Sequence, residues 1–313
     1  MAIAAKVKAG KSRKKRFGYD QWAGILMSLP ASLMLLLFVV IPFVTAFVLS
    51  FYNVHLSSGH SNFMGFEQYR RILFDPETSP AFWQALGNNF QFALMVVPLQ
   101  TGLAIALALL LNQKLKGIAF FRTFFFMPVV FPMSLVAVIW SLFYSRDLRG
   151  MFNSILHSIS GGAINPIDWL GTPGLALGSI ALMSIWAGVG FQMVIVLAGL
   201  QEIPLELYEA ASLDKAGKWQ QFRAVTLPSL RNTLVFVVII TTIFSLRLFD
   251  QVYILTSGGP LGSTSTVMYQ SVTSALIDDN VGKGSAMTVV FVIIIIVITV
   301  IQRLVLRQEK EIK

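Results

Sequence analysis

The sequence contains no cysteine, three histidines and little charge: 12% of its 313 residues are Asp, Glu, Lys or Arg, against about 25% in an average soluble domain. Without cysteine there is no disulfide, no thiol nucleophile and no thiolate metal site. The histidines, His55, His60 and His157, are scattered and make no metal-ligand cluster. No HExxH, GxSxG or GxxxxGK[ST] run occurs, so a zinc peptidase, a serine hydrolase and a self-contained ATPase are not expected. What fills the chain is apolar, 55% of residues. That balance points to a membrane protein, and the +9 net charge needs no nucleic acid to explain it once the cations are placed.

Six runs approach or exceed the roughly 20 apolar residues that cross a bilayer. No charged residue occurs from Gln21 through Phe66, too long a run for a cleaved signal peptide, so an anchored first span is expected at about 23–51, kinked at Pro30 and Pro42. An external polar segment follows to about Leu86, with a small helix near 66–73. The second span is expected at about 89–111, the third between Arg122 and Arg146 with breaks at Pro128 and Pro132, and the fourth at about 174–200. Gly174 and Gly178 stand there at GxxxG spacing, which lets helix backbones approach closely. The fifth runs from about Asn232 to Leu255, and the sixth lies between Lys283 and Arg303.

Of the 24 lysines and arginines, eighteen then fall on one side: seven in the N-terminal tail (Lys6 to Arg16), three around Lys114 to Arg122, four between Lys215 and Arg231, and four from Arg303 onward. Five fall on the other side, and Arg247 lies within a span. The positive-inside rule puts both termini in the cytoplasm. The expected fold is all-α and polytopic, with a basic tail (1–22), a six-helix domain (23–306) and a short tail (307–313). A cytoplasmic helix-turn-helix loop occupies 202–231.

In that loop Pro204 suits the first position of a helix, with Glu206 and Glu209 near its positive end. The helix is expected to run to about Lys215, with Leu205, Tyr208 and Ala211 on one side. Gly217 would supply the left-handed reversal, and a second helix would begin near Lys218 and stop before Pro228. The run Glu209-Ala210-Ala211, then Asp214-Lys215-Ala216-Gly217, with Leu227-Pro228 ten residues past the glycine, resembles the cytoplasmic loop of membrane subunits of binding-protein-dependent ABC importers. The resemblance implies that Glu209, Ala210, Ala211, Asp214 and Gly217 belong to a coupling helix docking on an ATPase subunit. Phe249-Asp250, Tyr253, Leu255-Thr256 and Gly258-Gly259-Pro260 are similar to the end of the fifth core helix in the carbohydrate branch.

The resemblance further implies a prokaryotic cell membrane, a second homologous permease subunit, two ATPase subunits that bind the ATP and Mg, and an extracytoplasmic solute-binding protein. No cofactor is expected in this chain. Transport would proceed by alternating access. By alignment to the maltose-type relative, the solute-lining positions fall on Val129, Met133, Ser184, Ala187, Gly188, Thr241, Ser245 and Leu248. Trp186 offers an aromatic face for a pyranose ring or a packing surface. Arg247 lies about 22 Å into the fifth span. It can pair with Asp250 or snorkel outward as an anchor, and an ionisable residue at that depth is a pathway candidate. An ion-driven secondary transporter and a non-transporting scaffold are the rival readings; the first predicts intramembrane carboxylates, of which the spans hold only Asp250.

Overall fold

The structure, a computed structural model, describes residues 19–55, 57–59, 61–113 and 116–306. The basic tail cations Lys6 to Arg16, Lys114, His60 and the last seven residues lie outside the described residues. The chain forms two compact units, Met1–Val48 and Leu49–Lys313.

In the first unit, α1 (Tyr19–Leu35) passes through a π turn at Leu36–Val40 into α2 (Ile41–Leu49). The Ile41 N–H bonds to the carbonyl of Leu36, five residues back. This widened turn stands immediately before Pro42 and makes room for a ring that would otherwise meet the carbonyl one turn earlier. Pro30 sits inside α1.

The second unit begins with a hairpin absent from the sequence reading, β1 (Tyr52–Val54) antiparallel to β2 (Ser61–Phe63), followed by α3 (Glu67–Phe74). Arg70 and Arg71 donate to Glu67 and hold its carboxyl down at about 2. The second span, α4 (Ser79–Leu111), starts ten residues before its expected position. Pro80 in its first turn needs no N–H partner, and the polar stretch after it is helical because Gln84, Asn88 and Asn89 find partners elsewhere.

The third span is broken. α5 (Ile118–Phe126), a 3₁₀ turn (Met127–Val130) and α6 (Met133–Phe143) bend by 100° at Pro128 and Pro132. Among the described residues, five helices are long and apolar enough to cross a membrane, and this bent pair makes a sixth if it counts as one span. α7 (Met151–Ile159) follows, then α8 (Pro173–Gln201). α9 (Leu205–Leu213), α10 (Lys218–Gln221) and α11 (Leu227–Ser229) form the surface loop. α12 (Arg231–Leu246), α13 (Asp250–Leu255), α14 (Val267–Leu276) and α15 (Val281–Val305) complete the chain.

The α4 and α8 helices run parallel and form the centre. Ala104 and Ala108, both fully buried, sit against Val189, Met193 and Val196. Helices approach closely at Gly190, where an added Cβ would overlap the Phe125 carbonyl, at Gly284, where it would meet the Ser271 carbonyl at 2.5 Å, and at Gly199, where it would meet Thr233 at 2.8 Å. The expected GxxxG contact is not formed within the chain: nothing lies within 4 Å of a Cβ at Gly174 or Gly178.

Candidate functional site: a surface loop and a broken span

The loop between α8 and α12 is compact because its polar groups are satisfied internally. Pro204 is the extended residue before α9 rather than its first helical residue. At the far end of α9 the Ala216 N–H reaches the Ala211 carbonyl (2.9 Å) and the Lys215 N–H reaches that of Ser212 (3.0 Å), which is the Schellman pattern. The left-handed residue is therefore Lys215, with φ 59°, not Gly217. Gly217 is extended and caps α10: its N–H donates to Gln220 Oε1 at 2.7 Å. Gln221, buried, ties the turn together by donating to Ser212 Oγ (2.9 Å) and to the Ala216 carbonyl (3.2 Å).

The second helix does not stop before Pro228. A π turn at Phe222–Thr226 carries it into α11, with the Leu227 N–H bonded to the Phe222 carbonyl, the device seen ahead of Pro42. Tyr208 and Thr226 join the two arms by a 2.9 Å hydroxyl contact. Of the three residues expected on one side of α9, Tyr208 and Ala211 are half-buried, while Leu205 is exposed, with Leu207, Leu213 and Trp219. Glu209, Ala210 and Asp214 are exposed and Ala211 half-buried. The loop thus exposes four carboxylates, Glu202, Glu206, Glu209 and Asp214, beside the apolar Leu205, Leu207, Leu213 and Trp219.

The residues aligned as solute-lining are not brought to one surface. Thr241 (2% exposed) and Ser245 (4%) are enclosed in the bundle rather than facing a cavity. Thr241 accepts from Gln192 Nε2 and donates to the Val237 carbonyl at 2.6 Å. Ala187 and Leu248 are buried in apolar clusters. Ser184 donates to the Ile180 carbonyl and accepts from Gln251 Nε2 at 3.4 Å. A Cβ at Gly188 would meet the Gln100 amide at 2.5 Å. Val129 and Met133 flank the bend of the third span, both half-buried. Trp186 packs on Trp140 (centroids 5.5 Å apart) and borders a 350 Å³ cavity whose side chains, among them Leu107, Phe124, Phe131 and Val189, are all apolar. Among its lining side chains the Trp186 indole N–H is the hydrogen-bond donor.

The Arg247–Asp250 pair is not formed. The fifth span breaks at Arg247-Leu248-Phe249, and this turns the two side chains away from the helical i, i+3 arrangement; among the described residues neither has an ion-pair partner. What holds the break is Asn89, which sequence reading took only as the start of a span. Fully buried, it donates to the Leu246 carbonyl (2.8 Å) and accepts from the Val267 N–H (2.9 Å). Asn88 donates to the carbonyls of Gly262 and Ser265, each at 2.8 Å, and Gln84 to that of Leu261. An amide-rich turn inside an apolar run was the available signal.

Residues 100–310 match the family model described as binding-protein-dependent transport system inner membrane component. Over 291 residues the chain is 34% identical to the trehalose/maltose transport system permease protein MalF of Thermococcus litoralis, covering 93% of this chain and 94% of that one. It is 33% identical over 292 residues to the sulfoquinovosyl glycerol transport system permease protein SmoG of Agrobacterium fabrum (92% and 91% covered). It is 34% identical over 262 residues to the lactose transport system permease protein LacF of Rhizobium radiobacter (83% and 85%). Among solved structures, a chain of a bacterial ABC transporter involved in the import of the acidic polysaccharide alginate has the same fold, with a TM-score of 0.78, 20% identity, and 92% and 96% of the two chains covered. A bent helix pair, a satisfied surface loop and these likenesses together place the chain among the inner membrane components of binding-protein-dependent transport systems, the permease subunits of ABC importers.

Proposed function

We propose that this permease subunit forms half of a translocation pathway for a sugar or sugar-like solute, worked by alternating access and driven by ATP bound with Mg in two separate ATPase subunits. A second homologous permease subunit completes the pathway, and a solute-binding protein delivers the solute from outside. The observation that carries the coupling role is the loop at 202–231: internally hydrogen-bonded, and exposing Leu205, Leu213 and Trp219 along with Glu209 and Asp214. The sugar assignment draws on the names of the relatives, which carry maltose, trehalose and lactose. Both termini and this loop lie in the cytoplasm on this reading, in accord with the eighteen-to-five division of cations.

Purification of the tagged chain from native membranes tests the assembly. ATPase subunits and a second permease should accompany it, and Glu209→Lys, which reverses a charge at the docking surface, should lose the ATPase subunits while keeping the second permease. A Glu209→Lys chain that retains its ATPase and transports normally would reduce the loop to an interfacial helix.

A further inference from the structure

We propose that the groove between the start of α12 and the end of α15 seats one anionic phospholipid, its acyl chain against the apolar walls and its phosphate on the Arg231 guanidinium. The groove has a volume of 510 Å³, within the range of small-ligand sites. Leu227, Leu234 and Val238 form one wall, Val305 and Leu306 form the other, and among the described residues Arg231 is the one charged side chain in the lining. Arg231 opens α12 and is exposed. A second exposed cation, Arg303, stands in the last turn of α15.

The surroundings select the occupant. Phe236 on α12 and Ile301 and Leu304 on α15 are exposed apolar side chains of spanning helices, so the groove opens among surfaces suited to lipid tails. A free anion would gain nothing from its walls. An acyl chain gains little by leaving the bilayer for it, since both surroundings are equally apolar, and selectivity must then come from the headgroup. A guanidinium donates two parallel hydrogen bonds to phosphate oxygens, and a zwitterionic headgroup would bring a further cation toward Arg231 and Arg303. Basic pockets between spans on the cytoplasmic side suit anionic headgroups for this reason. The inner-leaflet placement rests on the topology proposed above, by which α12 begins and α15 ends at the cytoplasmic face. Leu227 and Pro228 belong to α11, the arm by which the surface loop re-enters the bundle, so the lipid sits at the root of that loop.

The test uses the assembled transporter in phosphatidylcholine nanodiscs doped with a phosphatidylglycerol that carries a diazirine on its acyl chain. Irradiation and peptide mapping should place adducts on residues 227–238 and 305–306, and the matching diazirine phosphatidylcholine at equal mole fraction should give far fewer there. Arg231→Gln should lower the phosphatidylglycerol adducts about tenfold, equivalent to about 1.4 kcal/mol. Arg231→Lys should keep part of them, because an ammonium binds phosphate as a point charge. Leu234→Trp, which fills the groove and keeps Arg231, should remove the adducts of both lipids. Lys116→Gln, at an exposed cation outside the groove, should change nothing. Equal labelling by the two lipids, or undiminished labelling in Arg231→Gln or Leu234→Trp complexes of normal yield, would overturn the seat. Adducts found on the isolated subunit but not on the assembled transporter would mean that a partner chain covers the groove, and would overturn it equally.

Discussion

Lys215 carries the chain reversal that the sequence pattern assigns to Gly217. With φ at 59°, a lysine there bears a strain of about 1–2 kcal/mol that glycine would not. Lys215→Gly should therefore raise the thermal midpoint of the purified complex. Gly217→Ala should leave it unchanged, since the backbone there is extended and a Cβ would find its nearest neighbour, Gln220 Oε1, at 3.7 Å. The reverse pattern in a thermal scan would return the turn to Gly217. The misplacement has a simple origin, because α9 ends at Leu213, two residues earlier than its expected end. Single polar residues were harder still to read. Asn89 and Gln192 sit in apolar helices, and their partners lie 157 and 49 residues away in sequence. No local spacing could disclose such contacts, whereas the family resemblance of the loop at 202–231 rests on a short, fixed pattern.

Helices were legible wherever a long apolar run stood alone, as in α8 and α15, because hydropathy over about 20 residues is nearly the whole signal. Prolines were read unevenly. The breaks expected at Pro128 and Pro132 are present, and the span bends by 100° between Val130 and Met133, while Pro42 and Pro228, expected to kink and to stop a helix, are absorbed by π turns. The hydrogen-bond register upstream of the ring decides between these outcomes, and a residue count does not contain it. Glycine spacing misled for a similar reason. Gly174 and Gly178 have the motif without a neighbour in this chain, and Gly190 has the neighbour without the motif. Gly190→Ala should force α8 away from the end of α5 and cost about 1–3 kcal/mol, seen as a lower yield of folded chain, while Gly178→Ala should be silent. Equal yields for the two variants would contradict the packing described for α8.

At the scale of the whole molecule, the absence of cysteine makes sidedness directly measurable. Single cysteines at Lys116 and Gly217 should be shielded from an impermeant thiol reagent in intact cells, and those at Gly59, Gly161 and Gly262 should be labelled; labelling at Gly217 would invert the topology drawn from the charge count. On the proposed topology the loop at 202–231 lies on the inner side and the break at 247–249 toward the outer side. Those two regions lie at opposite ends of α12, which on the proposed function links the coupling loop to the translocation pathway. The most direct test of that account is sugar uptake by the purified complex in proteoliposomes, with ATP inside and the binding protein outside. Uptake of maltose, trehalose or lactose should require both, should survive collapse of proton and sodium gradients, and should be abolished by Glu209→Lys. Uptake that proceeds without ATP and follows an ion gradient would contradict it.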